Sequence, residues 1–396
     1  MQDLICISHL RWGFVWQRPQ HLLSRLGQQY RVLFVEEPTT NTNLHQPELR
    51  TFPGHTYNGS KITLACLHHP AAEERWIGHG DPETQATYER LLLDYLEKEE
   101  YHNPILWLYT PMAAPFVTAI PHQQLIYDVM DELSAFKGAP AKLKEQEQAM
   151  LHRAEIVFTG GASLYRSKLP HNSNTHLFPS GVEIDHFVRA ATESFARPDD
   201  LASIGSPVLG YFGVIDERMD LELLATMAKA RPAWNIVLLG PVLKIDPADL
   251  PQAPNLHYLG MKQYNELPAY LAHFDVALVP FAMNEATRHL SPTKTLEYIA
   301  AHKPVVSTPI PDIVELYGDY VHIGQTTAEF IAHVETVLVE REQQRLTRHA
   351  REKQLLEEYS WENIASRMQA IIAENSLTPE EVDRLSNQAL AAATWV

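Results

Sequence analysis

Short apolar, often β-branched runs recur along nearly the whole chain, each separated from the next by an amphipathic segment of helical length. In the first half these runs are Leu4–Ile7, Arg31–Val35, Ile62–Leu67, Ile105–Tyr109, Leu125–Tyr127, Ile156–Phe158 and His176–Phe178, with helical patterns at Pro19–Gln28, Thr84–Glu99 and Ala141–Arg153. The rhythm restarts with Val208–Phe212, Asn235–Leu239, Leu256–Leu259, Val276–Val279, Val305–Ser307 and Tyr320–Ile323, and helices are expected at Leu221–Lys229, Asn265–His273, Pro292–Ala301 and Thr327–Arg345. A strand that is apolar on both faces must be covered on both, so the pattern predicts parallel sheets sandwiched by helices, an α/β fold. Between the two series, Arg189–Ser206 has neither periodicity and reads as a linker. The expected organisation is therefore a first doubly wound Rossmann-like domain at 1–188, a linker at 189–206 and a second such domain at 207–355. A C-terminal helix at 356–375 and a polar tail at 376–396 complete it.

Composition narrows the function. The 396 residues carry a net charge of −17, which argues against nucleic acid as the partner. The two cysteines, Cys6 and Cys66, cannot staple a chain of this length and match no zinc spacing, so a reducing compartment is expected. The N-terminus lacks the basic and apolar regions of a signal peptide and no run reaches the length of a spanning helix, so the expected location is cytoplasmic.

Several common chemistries lack their motifs. The first strand is followed by Ser-His-Leu-Arg-Trp-Gly rather than G-x-G-x-x-G, and no Walker-type G-x-x-x-x-G-K-[ST] occurs. Gly-Ala-Ser-Leu-Tyr at 161–165 is not a nucleophile elbow, and neither H-E-x-x-H nor a D-x-D triplet at a strand end is present. Dehydrogenase, ATPase, hydrolase and zinc-enzyme readings all lose support.

The most informative segment is the helix expected to begin at Ser291. Ser291 suits an N-cap and Pro292 the first helical position, while Leu296, Ile299 and Ala300 form a buried stripe. Lys294 in the first turn opposes the helix dipole unless an anion binds there. Glu297 lies on the same face, placed to accept the hydroxyls of a ribose below a bound phosphate. By themselves these residues also describe an ordinary surface helix with an i,i+3 ion pair.

The stretches S-P-T-K-T-L-E-Y-I-A-A-H-K-P-V-V-S-T, F-G-V-I-D-E-R, L-G-M-K-Q-Y-N-E-L-P-A-Y-L-A-H-F-D-V-A-L-V-P-F and P-S-G-V-E-I-D-H-F resemble bacterial GT-B glycosyltransferases with a group 1 C-terminal domain. The opening S-H-L-R-W-G-F-V-W-Q-R-P-Q-H-L-L-S-R-L is similar to that of a subgroup making cell-surface polysaccharides. The resemblance implies a GT-B fold, with two Rossmann-like domains facing a cleft and a last helix that crosses back to the first domain. It implies transfer of a sugar from a nucleotide diphosphate-sugar to a glycan or lipid-linked acceptor, without a cofactor or bound metal, and possible peripheral contact with the inner membrane face. UDP or GDP is favoured over ATP.

Residue by residue, the resemblance places Glu297 on the ribose, Ser291, Thr293 and Lys294 near the diphosphate, and Arg218 as its neutralising cation. Gly213 joins the donor set, and Gly260-Met261 forms the loop that reads the nucleobase. Retaining members carry two glutamates with seven residues between them; the first would fall at His289, with Glu285 four residues early. Retention is implied over inversion, and His289 is the departure that bears on it. On the acceptor side, Asp131 at the end of a parallel strand is the expected acid/base or sugar-orienting group, with Asp128 second. Both positions also suit a turn-forming Asp. Arg18 is expected near the diphosphate or an anionic acceptor, or else as a surface residue, and His9 could line the cleft. A GT-B nucleotide-sugar epimerase and a non-catalytic nucleotide-sugar-binding protein are the alternatives.

Overall fold

A computed structural model describes residues 1–376 other than 14–15, 57, 71–72, 74–76, 78–81 and 137–138. The expected tail after residue 376 lies outside the described residues. The first domain runs β1 (Gln2–Ile7), α1 (Arg18–Leu26), β2 (Tyr30–Val35), β3 (Thr39–Thr40), β4 (Glu48–Gly54), β5 (Ile62–His69) and α2 (Pro82–Lys98). It continues through β6 (Ile105–Leu108), α3 (Ala114–Ala119), β7 (Gln124–Val129), α4 (Leu143–Arg153), β8 (Ile156–Thr159), α5 (Ala162–Lys168) and β9 (Thr175–Leu177). Its sheet has the order β3-β5-β2-β1-β6-β7-β8-β9 and is parallel except for β4, which pairs antiparallel on β5. Alternation along β1 shows why the sheet needs two covers. Leu4 and Cys6 join the core under α1, whereas Ile5 and Ile7 join the opposite core with Tyr88 and Leu92 of α2.

Two short helices, α6 (Ile184–Phe187) and α7 (Arg189–Thr192), lead into the second domain. That domain contains β10 (Val208–Phe212), α8 (Leu221–Ala230), β11 (Asn235–Leu239), β12 (Leu256–Tyr258), α9 (Leu267–Ala272), β13 (Val276–Val279) and α10 (Lys294–Ala300). Then come β14 (Val305–Ser307), α11 (Pro311–Tyr317), β15 (His322–Ile323), α12 (Thr327–Leu338), α13 (Glu342–Glu358) and α14 (Trp361–Asn375). The sheet order is β12-β11-β10-β13-β14-β15, all parallel. Both sheets therefore reverse their winding at the centre, between β1 and β6 and between β10 and β13. The crevice outside the strand ends at such a point is where open α/β sheets bind ligands.

The last helix returns to the first domain. Ser360 caps it by accepting the Asn363 N–H at 3.2 Å, and Trp361, Ile364, Ala365, Met368 and Ile372 enter the core with Leu22, Leu23 and Leu26 of α1. His21 stacks on Trp361 with ring centroids 4.7 Å apart. The crossing is pinned where Val182 N–H donates to Tyr359 O at 2.9 Å.

Four expectations need correction. The linker at 189–206 is not structureless: it opens as α7, and Leu201 and Ile204 belong to the second domain's core. The expected helix at Thr327–Arg345 is two, α12 and α13, broken around residues 339–341. The second domain's last helix accordingly runs past 355, to Glu358. Finally, α10 starts at Lys294, because the turn before it is tightened by Thr295 N–H to Pro292 O and Leu296 N–H to Thr293 O, so Ser291 is not its cap.

Candidate functional site

Three glycines with positive φ end adjacent strands of the second domain: Gly213 (φ 140) after β10, Gly240 (φ 143) after β11 and Gly260 (φ 70) after β12. The first two have no room for a side chain. A Cβ on Gly240 would lie 1.9 Å from Gly213 O, and one on Gly213 would lie 2.0 Å from Lys294 Cε. Lys294 thus lies across the end of β10, and its ammonium has no hydrogen bond or ion pair among the described residues. Burial pushes its pKa below the ordinary lysine value, opposed by Glu297 and reinforced by Arg218.

Glu297, one turn along α10, likewise has no side-chain partner among the described residues. Burial raises its pKa to about 7, against the pull of Lys294 and with a push from Glu183. Arg218 is held differently. Its guanidinium donates to both oxygens of Asp216, Nε at 2.9 and 3.1 Å and Nη2 at 2.7 Å, and Asp216 is buried. That bidentate pair fixes the direction of a half-buried cation whose field reaches Asp131 across the cleft. Met261, beyond Gly260, is 58% exposed at the rim. Thr293 precedes α10 without a capping hydrogen bond. Ser291 faces the other domain: a Cβ on Gly161 would come within 3.0 Å of its own.

The first domain supplies the opposite wall. Asp131 and Glu132, just beyond β7, line a pocket with Phe136, Arg218, Glu285 and His289. Burial raises the Asp131 pKa, while Arg218 and Lys244 pull it down. The Nδ1 atom of His289 is buried in this region without a hydrogen-bond partner. His9 lies two residues beyond β1, and burial lowers its pKa to about 4, so it is neutral at physiological pH.

Two acceptor-side expectations are corrected. Arg18 is neither exposed nor free to meet a diphosphate: its Nε lies 3.0 Å from both oxygens of Asp128 and its Nη1 donates to Phe178 O at 2.7 Å. Asp128 is fully buried in that pair. Both are spent tying α1 to β7 and the β9 end, an arrangement that separates 110 residues in sequence and left no local signal.

Sequence reasoning also missed Gly240, Lys244, Glu132 and Asp312. Gly240 had a signal, since Leu-Leu-Gly after β11 repeats the strand-then-glycine pattern of Tyr-Phe-Gly after β10. Asp312 in α11 reaches across the cleft, where its Oδ1 accepts the Ser163 N–H at 2.9 Å beside an Arg166–Glu315 ion pair. Lys244 Nζ lies 4.8 Å from the Phe136 ring centroid, so the walls also meet at the mouth. A larger recess of about 470 Å³ between α1 and α14, lined by Trp16, Arg25, Asn58, Glu183 and Gln369 among others, includes none of Lys294, Glu297, Arg218 and Asp131. Among the described residues no cluster of His, Cys, Asp and Glu could hold a metal ion, and no helix is long and apolar enough to cross a membrane.

Comparison with known proteins agrees with this layout. Residues 218–370 match the glycosyl transferase-like family. A Bacillus subtilis protein named for glycosyl transfer in teichuronic acid biosynthesis is 26% identical over 253 residues, which cover 59% of this chain and 63% of that relative's length. A UDP-forming trehalose-phosphate synthase from Burkholderia xenovorans superposes with a TM-score of 0.69 at 14% identity, covering 96% of this chain and 100% of that one. Sucrose-phosphate synthase from Thermosynechococcus elongatus gives 0.67 at 14% identity, covering 94% and 99%. An Anabaena protein in complex with UDP gives 0.64 at 13%, covering 94% and 100%. The chain has the GT-B fold, and within it residues 218–370 are similar to the glycosyl transferase-like family.

Proposed function

We propose that this GT-B chain is a metal-independent glycosyltransferase, moving a sugar from a nucleotide diphosphate-sugar, with UDP the favoured nucleotide, to a glycan or lipid-linked acceptor. The observation that carries the reading is the unpartnered Lys294 ammonium laid over Gly213, with Arg218 beside it and the unpartnered Glu297 one turn away. Leaving such charges half-buried and unpaired costs stability, and a ligand that neutralises the cations and hydrogen-bonds the carboxylate reduces the cost. A nucleoside diphosphate does so. Its phosphates meet Lys294 and Arg218, and its ribose hydroxyls donate to Glu297.

As the sugar–phosphate bond breaks, negative charge accumulates on the leaving diphosphate. Cations already fixed in place stabilise that charge without reorganising. This is the role a divalent ion fills elsewhere, and Lys294 and Arg218 fill it here. Asp131, on the facing wall with a pKa raised by burial, is the candidate acid/base or sugar-orienting group. Retention of anomeric configuration is the outcome we expect, read from the product anomer by NMR. The relative named for teichuronic acid biosynthesis supports a cell-surface polysaccharide or similar glycan as product.

Calorimetric titration with UDP tests the donor site. Wild-type protein should bind, and Glu297→Ala should weaken binding by about 1.5–3 kcal/mol, the range for hydrogen bonds to charged groups. Unchanged affinity would remove Glu297 from the ribose. An epimerase would instead convert the nucleotide-sugar with no acceptor present, and a pure binding protein would release no UDP from it.

A further inference from the structure

Glu132 sits beside Asp131 on the floor of the cleft, yet its surroundings are opposite. Its carboxylate accepts from Lys168 Nζ at 2.7 Å and from Ser134 Oγ at 2.8 Å. Lys168 is only 4% exposed and bonds a second carboxylate, Glu147, at 2.8 Å; Glu147 in turn accepts from Tyr127 Oη at 3.1 Å. A buried ammonium between two carboxylates is an expensive way to hold a helix to a sheet, since apolar residues of similar size usually do it as well. What apolar residues cannot do is fix the charge and direction of a carboxylate in the cleft.

The consequence is that two neighbouring acids are driven apart. Burial raises the Asp131 pKa, whereas Lys168 and Ser134 hold Glu132 below the usual carboxylate range. Adjacent acids separated in this way divide the work between proton transfer and a fixed negative charge. Across the gap, His289 lines the same pocket with Nδ1 buried and unpartnered, so polar groups converge there from both domains.

We propose that Glu132, fixed by the buried Lys168, accepts a hydrogen bond from the attacking hydroxyl and aims it at the donor sugar beside Asp131, with Lys168 as its positioning residue. This rests on the glycosyltransferase reading. Asp131 can then serve as the group that takes the proton while Glu132 keeps its charge throughout the cycle. Orientation of this kind is sensitive to small displacement, and a misplacement of 1 Å costs on the order of 100-fold in rate.

The test compares Glu132→Gln, Lys168→Met and Glu147→Gln with wild type, measuring UDP released from UDP-glucose, UDP-galactose and UDP-N-acetylglucosamine with water as acceptor, together with the Kd for UDP. Glu132→Gln should lower kcat by about 100-fold with donor KM and UDP Kd within twofold, and Lys168→Met should follow it. Glu147→Gln should lower the melting temperature yet keep kcat within about threefold, because Lys168 still holds Glu132. Near-normal kcat in Glu132→Gln, or equal kcat losses in Glu147→Gln and Lys168→Met, would overturn the assignment. A wild-type protein that binds no UDP and releases none would instead defeat the glycosyltransferase reading itself.

Discussion

Glu297 carries a conflict that can be measured. Its pKa stands near 7 in the fold against 4.5 for the free group, so between those values the folded chain holds a proton that the unfolded chain has released. Stability from this group therefore falls as pH rises through that window, and the deficit is complete above about pH 7. The shift sets a ceiling near 3 kcal/mol, which partial exposure reduces to about 1–2 kcal/mol. Glu297→Gln should accordingly raise the melting temperature at pH 8 and do little near pH 4.5, while weakening UDP binding. An equal effect at both pH values would show that the carboxylate is not the strained group. The residues proposed for the donor could be singled out in the sequence because Lys294 and Glu297 share one turn of a contiguous motif and Gly213 and Arg218 follow one strand. The pairings on the facing wall could not, because Glu132 meets Lys168 from 36 residues away and Arg18 meets Asp128 from 110. Spacing rules see neither.

Among the elements, α14 depends on a close approach at Gly181. A Cβ there would lie 2.8 Å from Tyr359 O, 2.9 Å from Trp361 Cδ2 and 3.0 Å from Ile364 Cδ1. Gly181→Ala should thus cost about 1–3 kcal/mol, as overpacking does, and loosen the crossing, read as faster hydrogen exchange in residues 361–375. Unaltered exchange would mean the chain yields there at no cost. Truncation before Trp361 should expose its apolar stripe and cost more, on the scale of about 3–5 kcal/mol for losing Trp361 alone, read by urea melts. Dye binding and a lowered midpoint are the expected signs, and an unchanged midpoint would sink the packing argument. The apolar period of α14 was readable because one face is buried along its length. The break between α12 and α13 was not: it rests on an unusual cap, in which the Gln344 side chain accepts the Arg341 N–H at 2.9 Å.

At the scale of the molecule, the two walls are held together by Asp312 on Ser163, with Asp312 Oδ2 only 2.0 Å from where a Cβ on Gly161 would be. Gly161→Ala should push the domains apart, raising the radius of gyration above the roughly 21 Å expected for a compact chain of this length, as measured by small-angle scattering. An unchanged radius would show that the contact does not govern closure. On the proposed function, with Lys294 and Arg218 supplying the charge, turnover should survive EDTA; loss restored only by manganese or magnesium would refute that. The return of α14 also has a meaning for biosynthesis. The first domain's sheet is complete by β9, but one of its cores stays open until Trp361 and its neighbours have been made, after the whole second domain. At about 5–20 residues per second, a ribosome leaves that apolar face waiting for roughly 10–40 s. The nascent first domain thus keeps that apolar face exposed for as long as its partner is being translated, and a gene split at the linker would leave the first half without the helix that closes its core.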